Sequence, residues 1–254
     1  MNCGIFIVAR LGSQRLQAKH LQKVGETPII LILLRRIRQA FREELSRGTV
    51  RVVIVTSDEP ENRLLAEVVG AEAEVFYGSI RNIPLRQEQA ASRYGMEQIV
   101  SVDGDDILCS PAGMRAVAEA IATDADYTAT SGLPFGMNSF GYRLRFLSNA
   151  LARNPADTLE TGWGRIFAGR EPRKIPFAGF PPDERLRFTL DYAEDLAFFR
   201  SVLAALGPGV LTADDARIVS VVFEQRLFTL NAGCAQEYWA NFRRQVQKEK
   251  EHAG

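Results

Sequence analysis

The chain has 254 residues, 46% of them apolar, and its 31 basic residues balance 31 acidic ones. This composition predicts a globular protein with a substantial core, and the absence of net charge gives no indication of a nucleic-acid partner. Three widely spaced cysteines form neither a zinc pattern nor a disulfide framework. The most apolar run, residues 28–34, is much shorter than the ~20 residues that span a bilayer. With no signal-peptide pattern at the start, we expect a cytoplasmic protein without a membrane partner.

The first predicted elements describe a place to hold polyphosphate. Residues 4–9 form a short run rich in Ile and Val, which is typical of a strand buried on both faces. The polar loop that follows contains Arg10, Gly12, Ser13, Arg15 and Lys19. Backbone N–H groups and cations of such a loop can bind phosphate oxygens, although a merely solvated basic loop is the alternative. The spacings of the Walker P-loop and of the dinucleotide fingerprint are both absent.

Strands and helices then alternate as far as residue 130. Thr27 is predicted to cap, and Pro28 to begin, a helix that continues to residue 45. Further strands are predicted at 51–56, 74–77, 98–102 and 127–130, and helices at 60–69, 84–94 and 111–122. The alternation predicts an α/β fold of three α/β/α layers around a mostly parallel sheet. Loops 10–19, 57–58 and 103–106 should then converge at the carboxyl ends of the strands.

The pattern weakens beyond residue 130. Residues 132–141 predict a loop, 142–146 and 185–189 predict strands, and 147–154 predicts a helix. Thr212 is expected to cap a helix ending near residue 223, and a charged helix is expected over 236–251. We expect one domain over 1–254, with a nucleotide-binding half (1–130), a small insertion for acceptor binding or dimerisation (131–190) and C-terminal helices (191–254).

Acidic residues follow two of the strand-like runs. Asp103, Asp105 and Asp106 come directly after 98–102, and Asp191 comes after 185–189. Such residues are often only turn-formers. Carboxylates beside a phosphate loop are also what Mg²⁺ prefers, because two of them with phosphate oxygens and waters complete an octahedral shell. From the residues alone, both interpretations stay open.

A family resemblance joins these features. The N-terminal stretch reads IVARLGSQRLQAKHL and resembles the signature of cytidylyltransferases that make CMP-linked sugar acids. These include CMP-Kdo and CMP-sialic acid synthetases and the spore-coat polysaccharide protein F branch. The resemblance continues through VVIVTSDEPEN, EVFYGS, VDGDDIL and RFTLDYAEDL, in the right order over most of the chain. It implies a Rossmann-like nucleotidyltransferase fold, Mg²⁺ as cofactor, and transfer of CMP from CTP to a small-molecule acceptor, a sugar acid of surface glycans.

The resemblance also implies a role for each matching residue. Nucleotide-binding residues would be Ala9, Arg10, Gly12, Ser13, Arg15, Lys19, Ser57, Asp58 and Arg86. Asp105 and Asp191 would be the metal ligands, and Arg10, Lys19 and Asp105 the catalytic residues. The family members named above are often dimers, so a homodimer is a further expectation that the sequence does not fix.

Departures from the family pattern raise questions that the sequence leaves open. Gln17-Ala18 replaces the usual Pro-Gly, Asn82 stands where one branch often has Asp, and Asp103 adds a carboxylate beside the metal site.

The acceptor site is the least defined part of this interpretation. Its candidate residues are Glu160, Trp163 and Arg143. Alternatives are a small phosphate or phosphonate acceptor, held by Arg143, Arg145, Arg173 and Lys174, and a catalytically silent nucleotide-binding protein. For Tyr238, Trp239 and Phe242 in the terminal helix, burial or a dimer contact is expected rather than acceptor stacking.

Overall fold

A seven-stranded sheet runs through the centre of the computed structural model, which describes residues 2–154, 158–180 and 183–251. The strands are β1 (Cys3–Val8), β2 (Lys23–Val24), β3 (Thr27–Pro28), β4 (Val50–Ser57), β5 (Glu74–Gly78), β6 (Gln98–Asp103), β7 (Tyr127–Ser131), β8 (Phe140–Arg143) and β9 (Arg173–Pro176). The helices are α1 (Ile29–Ala40), α2 (Arg42–Ser46), α3 (Arg63–Val69), α4 (Ile83–Tyr94), α5 (Pro111–Thr123), α6 (Leu144–Arg153), α7 (Ala193–Leu206), α8 (Asp215–Glu224) and α9 (Cys234–Glu251).

The order of the strands is β5-β4-β1-β6-β8-β7-β9, and β2 and β3 form a separate hairpin. In the large sheet β1, β4, β5 and β6 are parallel, as are β7 and β9. β8 pairs antiparallel with both of its neighbours. The sheet is therefore mostly parallel, which confirms the predicted fold class.

Successive residues of β1 explain why the sheet is covered on both faces. Ile5 and Ile7 are fully buried in a cluster that includes Leu33 of α1 and Val117 of α5. The residue between them, Phe6, belongs to a second cluster on the other face, which also includes residues of α4 and α6. Because side chains alternate along a strand, a wholly apolar strand needs helices on both sides. A third cluster joins α7 and α8.

The predicted start of the first helix is wrong. Thr27 and Pro28 lie in β3, where Thr27 pairs with Val24. The turn between the strands uses Gly25 at φ +57°, a conformation that favours glycine. α1 begins only at Ile29. The helix is interrupted at Phe41, and the short α2 follows.

Several elements of the second half also differ from prediction. Residues 142–146 are not one strand, because β8 ends at Arg143 and α6 follows at once. Residues 185–189 contain only an isolated bridge from Arg187 to Phe135. The cap of α8 is Asp214, whose carboxylate accepts from the Arg217 N–H at 2.7 Å, and not Thr212. The strand β9 was not predicted, and no helix among the described residues is long and apolar enough to cross a membrane.

Candidate active site

The carboxyl ends of β1 and β6 open into a cavity of about 670 Å³. The two strands are adjacent in the sheet, and Val8 is in register with Asp103. Gly104 turns the chain against the end of β1, since its N–H donates to the Val8 carbonyl at 2.8 Å. A Cβ at this position would lie 2.9 Å from that carbonyl oxygen, so glycine is required for the close approach.

The polar centre of the cavity is a buried ammonium group between two carboxylates. Lys19 Nζ lies 2.5 Å from Asp105 Oδ2 and 3.2 Å from Asp191 Oδ1. Burial works to lower the pKa of Lys19, but the two carboxylates outweigh it and raise that pKa. Arg15 Nη2 reaches the same oxygen of Asp191 at 2.5 Å. The structure thus brings together two of the expected catalytic residues, Lys19 and Asp105, and the two expected metal ligands, Asp105 and Asp191.

Asp191 is held from its other side by a buried arginine. Arg187 Nη2 donates to Asp191 Oδ2 at 2.8 Å, and its Nε donates to Asp195 Oδ1 at 3.0 Å. Burial works to raise the pKa of Asp191, but Lys19, Arg15 and Arg187 outweigh it and lower that pKa. One oxygen of Asp191 therefore faces the cavity while the other is fixed by Arg187.

The loop of residues 10–19, which is expected to bind phosphate, is held by a hydrogen bond near its start. The Leu11 N–H donates to Asn62 Oδ1 at 2.8 Å. Ala18, which replaces the family's glycine, takes φ +45° and leads directly into the buried Lys19. Six residues of this loop and of the segment just before it line the cavity: Ala9, Arg10, Gly12, Ser13, Arg15 and Lys19.

Glu160 lies beside two of the residues expected to bind the nucleotide, Arg10 and Arg86. Its carboxylate is 3.1 Å from Arg10 Nη1 and 2.8 Å from Arg86 Nη2. Arg86 is buried and also donates to the Ser79 carbonyl at 2.8 Å. Both Glu160 and Arg86 line the cavity, so the expected acceptor residue Glu160 is paired with two expected nucleotide residues.

Two expected nucleotide residues do not line the cavity. Ser57 is buried at the end of β4, where its hydroxyl donates to Glu59 at 2.5 Å. Asp58 is half exposed and pairs with Arg63 at 2.5 Å. The geometry therefore gives no support for a contact of either side chain with the nucleoside.

The prediction of Arg143 as an acceptor ligand is wrong. Because β8 is antiparallel, its last residue is in register with Gln98, at the opposite edge of the sheet from the cavity. The Arg143 Nε donates to the carbonyls of Ile121 and Ala125. Arg145 and Arg173 pair with Asp126 and Asp124 at that same remote edge, so the alternative anion site is not at the cavity either.

Aromatic rings form the other side of the cavity. Trp163 is buried and lines the cavity as expected. Phe135 and two residues of α9, Tyr238 and Phe242, also line it. Both of these α9 rings are partly buried within this chain and also line the cavity, while the expected dimer contact stays a prediction.

Sequence reasoning missed four residues of the site: Asn62, Arg187, Tyr238 and Phe242. Asn62 lies within the VVIVTSDEPEN match and Arg187 within the RFTLDYAEDL match, so position in a family motif was a usable signal for both. No signal in the sequence places α9 against the cavity, because that contact depends on how the C-terminal helices pack. Asn82, a departure from one family branch, accepts the Leu85 N–H at 2.9 Å and caps α4.

The donor set fits Mg²⁺ as a partly substrate-held ion. Within residues 2–154, 158–180 and 183–251, no group of three or more His, Cys, Asp or Glu side chains is placed to hold a metal. Asp105 and Asp191 nevertheless converge on a single atom, Lys19 Nζ, from two different loops. Two carboxylates with open neighbouring space are the arrangement that Mg²⁺ uses when phosphates and waters supply its remaining ligands.

Comparison with known proteins agrees with this geometry. Residues 5–156 match the family model described as cytidylyltransferase. An uncharacterised protein of Methanocaldococcus jannaschii is 29% identical over 76% of this chain and 79% of its own length. The spore coat polysaccharide biosynthesis protein SpsF of Bacillus subtilis is 30% identical over 54% of this chain and 58% of its own. The 3-deoxy-manno-octulosonate cytidylyltransferase of Yersinia enterocolitica is 30% identical, and the match spans 50% of this chain and about half (49%) of that enzyme.

Solved structures share the fold over most of the chain. A cytidylyltransferase from Leptospira borgpetersenii superposes with a TM-score of 0.77 at 21% identity, over 91% of this chain and 98% of its own. A CMP:2-keto-3-deoxy-manno-octonic acid synthetase in complex with CTP gives a TM-score of 0.59 at 17% identity, over 80% and 99% of the two chains. At these identities the likeness shows the architecture alone.

Proposed function

Since the chain belongs to the cytidylyltransferase family, we propose that it transfers CMP from CTP to a sugar-acid acceptor for surface glycan synthesis. The single observation that carries the proposal is the placement of Lys19 between Asp105 and Asp191 at the end of the phosphate-binding loop. This arrangement combines a cation for the triphosphate with two oxygen ligands for a divalent ion. Two relatives, one a spore coat polysaccharide biosynthesis protein and one a cytidylyltransferase of a sugar acid, support this class of acceptor.

The reaction is an in-line displacement at the α-phosphorus of CTP. The acceptor oxygen forms the new P–O bond, its proton is released, and the bond between the α-phosphorus and the bridging oxygen breaks to give pyrophosphate. Arg10, Arg15 and Lys19 would hold the β- and γ-phosphates and stabilise the charge that develops on the leaving group. Arg10 is half exposed, so it can exchange its ion pair with Glu160 for a phosphate.

Asp105 and Asp191 would hold Mg²⁺. When bound, the ion would neutralise phosphate charge and polarise the oxygens around the α-phosphorus. The residues of this chain then act by orientation: Arg187 fixes the outer oxygen of Asp191, and the loop places Lys19 at the inner one. We expect this reaction in the cytoplasm, and the homodimer stays a prediction.

The two alternatives are less well supported. A small phosphate or phosphonate acceptor needs cations at the acceptor side, but Arg143, Arg145 and Arg173 lie at the remote edge of the sheet. A silent nucleotide-binding protein would not need the contacts that orient Asp105 and Asp191.

Isothermal calorimetry with CTP, ATP, GTP and UTP in the presence of Mg²⁺ tests which nucleotide the protein binds. We expect selective CTP binding and, with a sugar acid added, pyrophosphate release. Asp105→Asn should slow release by about 10²–10³-fold, the typical loss for one electrostatic group. Asp58→Asn is the matched control, since Asp58 is off the cavity, and it should keep wild-type rates. Equal binding of all four nucleotides, or an unimpaired Asp105→Asn enzyme, would refute the proposal.

A further inference from the structure

Helix α9 lies across the acceptor side of the cavity and is fastened to the loop that contains Glu160. Glu249 Oε1 accepts the Thr161 N–H at 2.8 Å, and Glu249 Oε2 pairs with Arg165 at 2.5 Å. At the other end of the contact, the Asn241 amide donates to the Tyr192 hydroxyl at 3.0 Å. These bonds fix the helix relative to the catalytic edge of the sheet.

The face that α9 turns to the cavity is aromatic. Tyr238, Phe242 and Gln245, spaced three or four residues apart, line the cavity together. Phe242 packs on Gly162, where a Cβ would come within 2.7 Å of the ring. Phe135 closes the wall, with its ring centroid 5.7 Å from that of Tyr238.

Charge is distributed unevenly between the two sides of the cavity. The lysine and arginines that line it within the described part of the chain are Arg10, Arg15, Lys19 and Arg86. Each is already paired with a carboxylate, which is Glu160, Asp191 or Asp105. Asp103 and Asp106 also line the cavity, and both lie close enough to Tyr238 to add to the rise that burial causes in the pKa of its hydroxyl. The cation that packs on the aromatic rings, Arg187, is already paired with Asp191 and Asp195. A second anionic group on the acceptor would therefore meet carboxyls without a free counter-charge.

We propose that α9 determines acceptor specificity, with Tyr238 and Phe242 as its specificity-determining residues. This inference rests on the cytidylyl transfer proposed above. The far end of the acceptor is uncharged and presents apolar faces, such as sugar C–H groups or an acylamido methyl, which stack on the two rings. Gln245 offers an amide for a hydrogen bond to the same end.

The family match covers the nucleotide side of the cavity and only part of this aromatic wall. The match ends at residue 156, whereas Trp163 and the three α9 residues lie beyond it. The family match therefore covers the loop of residues 10–19 and Asp105, and it does not extend to Trp163 or α9.

Calorimetric titration of acceptors tests the inference without turnover. The probes are N-acetylneuraminate, 3-deoxy-manno-octulosonate and 2-hydroxyethylphosphonate. Each is titrated into the protein in the presence of Mg²⁺, once without and once with a CTP analogue whose α,β-bridge cannot be cleaved. We expect both sugar acids to bind more tightly than the phosphonate. Phe242→Ala should weaken sugar-acid binding by about tenfold, the loss expected when one stacking ring is removed, and leave affinity for the analogue unchanged.

Matched variants separate this role from a general effect on the helix. Trp239→Ala removes a ring of the same helix that does not line the cavity, and it should bind acceptors like wild type. Phe242→Leu removes the aromatic ring but retains apolar packing on Gly162. It therefore tests the same role if Phe242→Ala is too unstable to be measured. Equal acceptor affinity in wild type and both Phe242 variants, preference for the phosphonate, or no sugar-acid binding would overturn the inference. Failure of the analogue to bind would instead refute the proposed nucleotide function.

Discussion

Asn62 Oδ1 accepts the backbone N–H of Leu11 at 2.8 Å, which ties the phosphate-binding loop to the end of β4. The Asn62 amide nitrogen donates to the Ser57 carbonyl at 3.0 Å, and the whole side chain is buried. A buried donor that loses its acceptor costs about 1–3 kcal/mol. We expect Asn62→Ala to lower unfolding free energy by that amount and to weaken CTP binding.

Asn62→Asp distinguishes the two halves of this contact. The carboxylate keeps an acceptor for Leu11 but loses the donor to Ser57, so CTP affinity should fall less than in Asn62→Ala. Urea unfolding and calorimetric CTP titration measure the two effects. Identical CTP affinity in Asn62→Ala and wild type would show that the loop does not depend on this bond.

Arg187 is expected to be essential for stability as well as for the orientation of Asp191. Its side chain is 3% exposed and pairs with two carboxylates. Arg187→Met leaves Asp195 buried without a counter-charge and removes one of the three cations around Asp191, which keeps Lys19 and Arg15. This loss should cost about 3–5 kcal/mol in unfolding free energy. Arg185→Met is the control, because the pair of Arg185 with Asp183 is screened by solvent and should contribute little to stability. Chemical denaturation of the two variants checks the difference, and similar losses would contradict it.

Ala18 carries a backbone strain that glycine would relieve. At φ +45° a residue with a Cβ is disfavoured by about 1–2 kcal/mol. After the greater flexibility of glycine in the unfolded chain is subtracted, Ala18→Gly should raise the unfolding free energy by up to about 1 kcal/mol. Ala66→Gly, in the exposed face of α3, should lower it by about 1 kcal/mol. Thermal melts of both variants test the opposite signs, and a loss of stability in Ala18→Gly would refute the strain argument.

His20 should make the fold sensitive to acid. Burial, assisted by the Lys19 charge, lowers the pKa of His20 from 6.5 to about 3. Between those values the unfolded chain binds a proton that the folded chain does not, so stability falls as the pH decreases from about 6.5 towards 3. The loss of unfolding free energy that His20 causes approaches about 1.4 kcal/mol for each unit by which the pH falls. Urea unfolding from pH 4 to 7 should show a shallower pH dependence for His20→Asn than for wild type, and parallel curves would exclude His20 as the cause.

The N-terminal half was predictable because its evidence is local. The apolar run of β1, the cations after it and Asp105 after β6 are each readable from a few neighbouring residues, and parallel strands bring their carboxyl ends to one edge. That logic also explains the error at Arg143. Placing its side chain required the direction of β8, and an antiparallel strand is not distinguishable from a parallel one by composition alone.

The acceptor side depends on contacts between distant parts of the chain. Tyr238 and Phe242 read as ordinary core residues of an amphipathic helix, and only the packing of α9 on the loop around Gly162 turns them to the cavity. Arg187 reads as part of a strand, but its pairing with Asp191 and Asp195 holds the segment in an irregular conformation instead.

The reversed direction of β8 has a consequence for how such a protein can diverge. Because β8 runs antiparallel to β7, the loop that contains Phe135 joins the two strands at the catalytic edge without an intervening helix. The helix α6 then returns the chain to the same edge before Glu160. Both connections can change in length without shifting the register of β1, β4 and β6. On the function proposed above, a change in either connection would alter the acceptor side of the cavity and leave the nucleotide side in place.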